Sequence, residues 1–197
     1  MKAYTAAVIW ISLAIVVAHA LAPPAYLWTE HTISHLAAQG YERAWIMRLG
    51  FISFGALVLI ATIARVRRSP RAAWPHALVG LYALAVLISG IFSTSPFSPG
   101  VAYSHREASI HSVMATLAGI ALSAAMLSSA LVEQTSRRRR IHLSALVLTM
   151  LLSSAFGISA SAPGIIQRGL YLVGFAWLVF LEMPTGDQSS HATEPSA

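Results

Sequence analysis

The chain contains no cysteine. That excludes disulfides, thiolate metal sites, iron–sulfur clusters and cysteine nucleophiles. Charge is nearly as scarce: charged residues make up 10% of 197, against roughly 25% in a soluble domain. With 56% hydrophobic residues, most of the surface is expected to face lipid rather than water. Alternating strands suited to a barrel are missing, so the expected class is all-α. The scarcer sign is negative, with 7 Asp and Glu against 13 Lys and Arg, a formal net charge of +6. The excess sits in short connections, as Arg65, Arg67, Arg68 and Arg71 and as Arg137 to Arg140. That placement marks membrane topology, and no nucleic-acid-reading element accompanies it.

A spanning helix needs about 20 mostly apolar residues. Six runs qualify: Tyr4–Ala22, Leu49–Ile63, Ala77–Phe92, Ser109–Val132, Ile141–Ala162 and Ile165–Leu181. The expectation is a polytopic integral membrane protein, a six-helix transmembrane bundle with a short interfacial helix after helix 1. Pro163 and Gly164 are expected to form the hairpin between the last two spans. Residues 1–182 form the membrane domain, and 183–197 a disordered polar cytoplasmic tail. Lys2, an apolar core and Ala20-Leu21-Ala22 also resemble a signal peptide. The apolar stretch exceeds the usual ~7–15 residues, and Pro23 and Pro24 follow the would-be cleavage point, so a retained first span is favoured. Lys2 and eight arginines share one side of a six-span layout, which places both termini in the cytoplasm. His19, His31, His35, His105 and His111 then fall near the outer face with Glu30, Glu42 and Glu107.

Three polar stretches carry the candidate chemistry. In "TEHTISHLAAQG", Thr29 caps and Gly40 ends an amphipathic interfacial helix. His31 and His35, four residues apart, point the same way and could share a metal such as zinc; the alternatives are a solvated polar face or a metal-free acid–base or binding role. In "FSTSPFSPGVAYSHREASIH", Pro96 and Pro99 stiffen a loop that leads through His105, Arg106 and Glu107 to His111. Ala108, Ala115 and Gly119 follow the His111 face at helical spacing, the signature of close helix packing in membranes. An ionisable residue inside a span is by default a functional candidate. In "GIIQRGLY", Gln167 and Arg168 open the last span; Arg168 is expected to pair with Glu30 or Glu107, hold an anionic head group, or snorkel. "HTISH" lacks the glutamate of the helix-borne metalloprotease motif, and no nucleophile elbow occurs.

The ordered set "HTISHLAAQGYERAWIMRLGF", "GIFSTSPFSP", "ASIHSVMATLAG" and "GIIQRGLYLVGFAWLVFLE" resembles the bacterial and archaeal membrane family called domain of unknown function 998, from Thr29 to Leu181. In that family a "TISDLG"-like motif follows span one, a "GLFPTD"-like motif follows span three, and a histidine begins span four. Here Thr32, Ile33, Ser34, His111, Gln167 and Arg168 match. His35 and Ser95 stand where acids are usual. The resemblance implies six helices and a polar pocket at one face, with distant similarity to the Frag/DRAM/Sfk membrane proteins, some linked to lipid remodelling. It implies no reaction, and the missing acids speak against carboxylate-dependent chemistry.

The leading functional expectation is a pocket at the outer leaflet that binds a lipid or other amphiphile. Arg168, Gln167, Arg106 and Ser34 would contact its head, with no cofactor required. The alternative is a membrane enzyme, either a lipid hydrolase or an acid–base isomerase or cyclase of an isoprenoid-like substrate. It would use His35, His111, Glu107 and Glu30. A third, an accessory subunit or small transporter, lacks a broken span or a mid-membrane acid.

Overall fold

The computed structural model describes residues 2–68, 73–158 and 162–183. Arg71, His191 and the polar tail beyond Met183 lie outside the described residues. Six helices form: α1 (Ala3–Ala20), α2 (Ala44–Arg68), α3 (Ala73–Ile91), α4 (His105–Val132), α5 (Ser136–Ile158) and α6 (Pro163–Phe180). All six are long and apolar enough to cross a membrane. Among the described residues there is no strand, and the protein is an integral membrane protein of the all-α class. The helices outrun the apolar stretches, because Arg48, Arg65 and the arginines of α5 keep their backbone bonded inside a helix while their charged ends leave it.

Two expectations are corrected here. Pro163 and Gly164 do not form the hairpin; they are the first turn of α6, where proline's missing N–H costs nothing and its φ is already helical. The interfacial α-helix between Thr29 and Gly40 is instead one short 3-10 turn, Ile33–Ala37, with Thr32 as N-cap. Ile33, Ser34, Leu36 and Ala37 are all buried, so the segment plugs the end of the bundle rather than floating on it. Ala38 returns to extended backbone, and Gly40 turns the chain at φ +75°, a region that glycine enters without a Cβ clash.

Consecutive helices pack on one another, and α6 closes back onto α1. The buried centre holds Tyr4, Ile11, Met47, Phe51, Phe54, Val58, Val79, Met126 and Leu178. Gly55 lets α2 approach α3 closely, since a Cβ there would strike the Ala83 carbonyl and Leu87; small residues at such crossings are the rule in membranes. Half of the α3 and α4 spans is buried, but only 17% of α5 and 28% of α6. The last two helices are therefore held more loosely than the middle ones.

At the end of the bundle where α1 starts and α6 stops, Glu182 clamps three helices. Its carboxylate accepts from the Tyr4 and Thr5 amides at 2.8 and 2.9 Å, from the Thr5 hydroxyl at 2.8 Å and from Arg65 at 3.1 Å. A carboxylate at the start of α1 meets the unpaired first-turn N–H groups and the positive end of the helix dipole. Lys2 donates to the Glu182 carbonyl, and the Arg65 guanidinium lies 4.8 Å from the Tyr4 ring centroid. A second clamp links α4, α5 and α6. Arg138 pairs with Glu133 at 3.0 Å and covers the Phe180 ring at 4.5 Å, and the Trp177 indole donates to His142 Nδ1 at 2.9 Å.

Burial alone would raise the pKa of Glu182, but the Thr5 and Tyr4 amides, the Thr5 hydroxyl and Arg65 hold it below the usual carboxylate value. Its support is full above the ordinary carboxylate pKa and is lost as pH falls through the lowered folded value. Glu182→Ala leaves those donors unpaired and should cost about 3 kcal/mol, seen as a lower unfolding temperature in detergent at pH 7. An unchanged midpoint would show the clamp to be dispensable.

Candidate functional site

The opposite end of the bundle collects most of the predicted site residues. Its frame is the docking of α6 onto the segment after α1. Gly164 lies against the carbonyls of Trp28, Thr29 and His31, with no room for a Cβ. The Ile165 amide donates to Thr29 O at 3.3 Å. Gln167 Oε1 accepts from the Ile33 amide at 2.6 Å. The Arg168 guanidinium donates to the carbonyls of Trp28 (2.7 Å), His31 (3.1 Å) and Gly164 (2.8 Å) and to the Tyr26 hydroxyl (2.8 Å). Arg168 therefore pairs with neither Glu30 nor Glu107. Both of its terminal nitrogens bond neutral oxygens, and it acts as a brace for irregular backbone.

The histidines divide by the protons they carry. His31 Nδ1 accepts from the Leu27 amide at 2.9 Å, and His35 Nδ1 accepts from the Thr32 amide at 3.1 Å. In each neutral ring the proton thus sits on Nε2. Coordination of a metal at Nε2 would move that proton to Nδ1, where it would face an N–H donor. The geometry does not favour shared zinc, although the rings lie 5.6 Å apart. Among the described residues no three His, Cys, Asp or Glu side chains gather in a metal-binding group. His111 is the reverse case. Its Nδ1 faces two carbonyls, Ser89 O at 2.8 Å and Phe92 O at 3.0 Å. Carbonyls only accept, so Nδ1 carries the proton and Nε2 presents a lone pair. That Nε2 is buried and has no hydrogen-bond partner among the described residues, in a residue only 2% exposed.

The acids do not join the histidines. Glu107 accepts from the Ser93 amide at 3.4 Å, and Glu30 is exposed. Arg106 is exposed too, beside His105, which stacks on Tyr103 at 4.4 Å. Neither His35 nor His111 makes an ion pair or hydrogen bond with a carboxylate among the described residues.

Two residues escaped the sequence reading. Phe97, between the two Ser-Pro pairs, packs its ring against Tyr26, His31, His35 and Tyr41 at 5.2 to 6.3 Å. Gln39 staples the 3-10 segment to the α3–α4 loop through Ser93 O and Ser104 O, each at 3.1 Å, and through the Ser104 amide at 2.8 Å. The prolines flanking Phe97 signalled a rigid loop; nothing in the sequence singled out Gln39.

Below this roof lies a cavity of about 430 Å³, bounded by α3, α4, α5 and α6. Ser34 and Gln167 line its roofed end, and Ser89, Ser123, Thr149 and Tyr171 are spaced along its walls. Lining residues of α4 and α5 are also exposed, including Ile120, Met150 and Phe156. The cavity therefore reaches the lipid-facing surface between these two helices. Gly119 lines it with no atom within 4 Å of where a Cβ would be. The small residues Ala115 and Gly119, read from sequence as a packing face, instead border open space.

These features define a six-span membrane protein with a roofed cavity that opens sideways to lipid. The chain belongs to the family described as "Protein of unknown function (DUF998)", matched over residues 5–182. No curated protein and no solved structure matches it.

Burial, then the neighbouring His31 and His111, push the pKa of His35 down to about 4 from 6.5. The fold thus gains from neutral His35 in full above pH 6.5, and that gain is lost as pH falls from 6.5 to about 4. Proton-detected titration of the histidine rings should find His35 still neutral at pH 5.5. A midpoint near 6.5 would contradict the described packing.

Proposed function

We propose that the protein binds a membrane amphiphile, with the chain in the α3–α6 cavity and the head under the Ser34–Gln167 roof. One observation carries this reading: the cavity combines a hydrogen-bonding closed end with an apolar mouth open to lipid. Its volume lies within the roughly 300–1,000 Å³ of small-molecule sites. The loose packing of α5 gives an apolar chain lateral entry without crossing water. We further propose that the termini are cytoplasmic, because Lys2, Arg65, Arg67 and Arg137 to Arg140 lie at the end where α1 starts and α6 stops, which puts the roof at the outer leaflet. Hydrolase or isomerase chemistry is less well supported, since neither His35 nor His111 has a carboxylate partner to polarise it.

Gly119→Leu places a side chain in the mouth and improves helix propensity by about 1 kcal/mol. Protein purified with this change should carry at least fivefold less co-extracted amphiphile by mass spectrometry, at undiminished thermal stability. Equal recovery from both proteins would overturn the reading. For orientation, the cysteine-free chain gives a clean background. Ala102→Cys should react with an impermeant thiol reagent in intact cells, and Gln134→Cys only after lysis; the reverse pattern would invert the topology.

A further inference from the structure

Beside the polar end of the cavity lie groups that find no hydrogen-bond partner among the described residues. His111 Nε2 is a buried acceptor without a donor. It is tied to the cavity from two sides. Its Nδ1 bonds the carbonyl of Ser89, a lining residue, and Ala115 and Ala118, which follow it at i+4 and i+7, line the same space. His35, next in sequence to the lining Ser34, is near enough to His111 for a charge there to disfavour protonation of His35. His35 carries a proton on Nε2, because its Nδ1 is taken by Thr32. Gln167 spends its oxygen on the Ile33 amide, and its NH2 has no hydrogen-bond partner among the described residues. No charged side chain is among the described residues that line the cavity; Arg168 is not one of them and turns to three carbonyls and a phenol instead.

We infer that the head held under this roof is an uncharged hydroxyl group on a long apolar chain. This rests on the amphiphile reading above. A hydroxyl donates once and accepts twice, so it can give its proton to His111 Nε2 and accept from His35 Nε2–H or the Gln167 amide. A phosphate or carboxylate only accepts when ionised; it would set its lone pairs against that of His111 and meet no charged side chain among the described lining residues. An ammonium only donates, and would leave the His35 and Gln167 donors without an acceptor. Burying either ion here also forfeits several kcal/mol of hydration without an opposite charge to repay it. Two lipid classes share the required chemistry, diacylglycerols and isoprenoid alcohols.

The test is equilibrium binding of four fluorescent probes to the full-length protein in detergent micelles: a diacylglycerol, an isoprenoid alcohol, and the phosphorylated counterpart of each. At least one alcohol should bind tenfold or more tightly than its own phosphate ester; confinement of the preference to one chain type would name the source. His111→Asn keeps a donor for the Ser89 and Phe92 carbonyls but removes the Nε2 acceptor. It should weaken alcohol binding by about tenfold, the loss of one buried hydrogen bond, and level the preference. Phosphate esters that bind as tightly as the alcohols would overturn the inference, and so would a preference unchanged in His111→Asn. The wild-type comparison decides even where that variant does not fold. Gly119→Leu separates the two readings: if it abolishes binding of every probe while the phosphates win, the cavity stands and the hydroxyl falls. If it alters nothing, the cavity reading itself falls.

Discussion

The arrangement at the roofed end depends on one constraint: irregular backbone inside a membrane protein must find hydrogen bonds within the protein. The segment from Tyr26 to Thr32 is not helical, and its carbonyls, with the first amide of the 3-10 turn, need partners. Gln167 and Arg168 supply them from the second turn of α6, and Gly164 lets the two backbones meet. The helix start and the loop thus satisfy each other. This fixes the 3-10 segment as a lid over the bundle, places Ser34 at the cavity wall, and sets His35 beside His111. Loss of the Gln167 and Arg168 contacts would strand several polar groups at once, so their effects should not add independently.

The two ends of the bundle are built on different terms. At the terminal end, Glu182 and the Glu133–Arg138–His142–Trp177 chain bind neighbouring helices by charge and hydrogen bonds. At the other end α4 and α5 part, and the space between them is lined by small and hydroxyl side chains rather than filled. A wedge closed at one end and open at the other admits an apolar chain with little cost in helix rearrangement. The polar groups are confined to the roof and spaced along the walls, so a bound molecule would be oriented by its head.

Hydropathy made the six spans legible, because the need to bury backbone polar groups leaves few alternatives in lipid. Their ends were not, since arginine side chains extend helices past their apolar stretches. The stretch from Thr29 to Gly40 reads as an amphipathic helix, but Ser34 is buried along with Ile33, Leu36 and Ala37. Alternation of polar and apolar letters cannot reveal that a serine faces a cavity. Arg168 suggests an ion pair by its charge, whereas its partners are carbonyls, which every residue has and no sequence pattern marks. His111 was visible as an ionisable residue inside a span, and the structure buries it. The cavity escaped notice because it comes from a divergence of α4 and α5, and the glycines and alanines at its edge equally suit close packing.

The central claim is that α4 and α5 stay parted in a membrane because something fills the space between them. A structure of the full chain in lipid nanodiscs, determined by electron cryomicroscopy, tests it most directly. The account predicts continuous elongated density from the mouth at Gly119 to the roof at Ser34 and Gln167. Contact between α4 and α5 along their whole length, with no space left for a ligand, would contradict it.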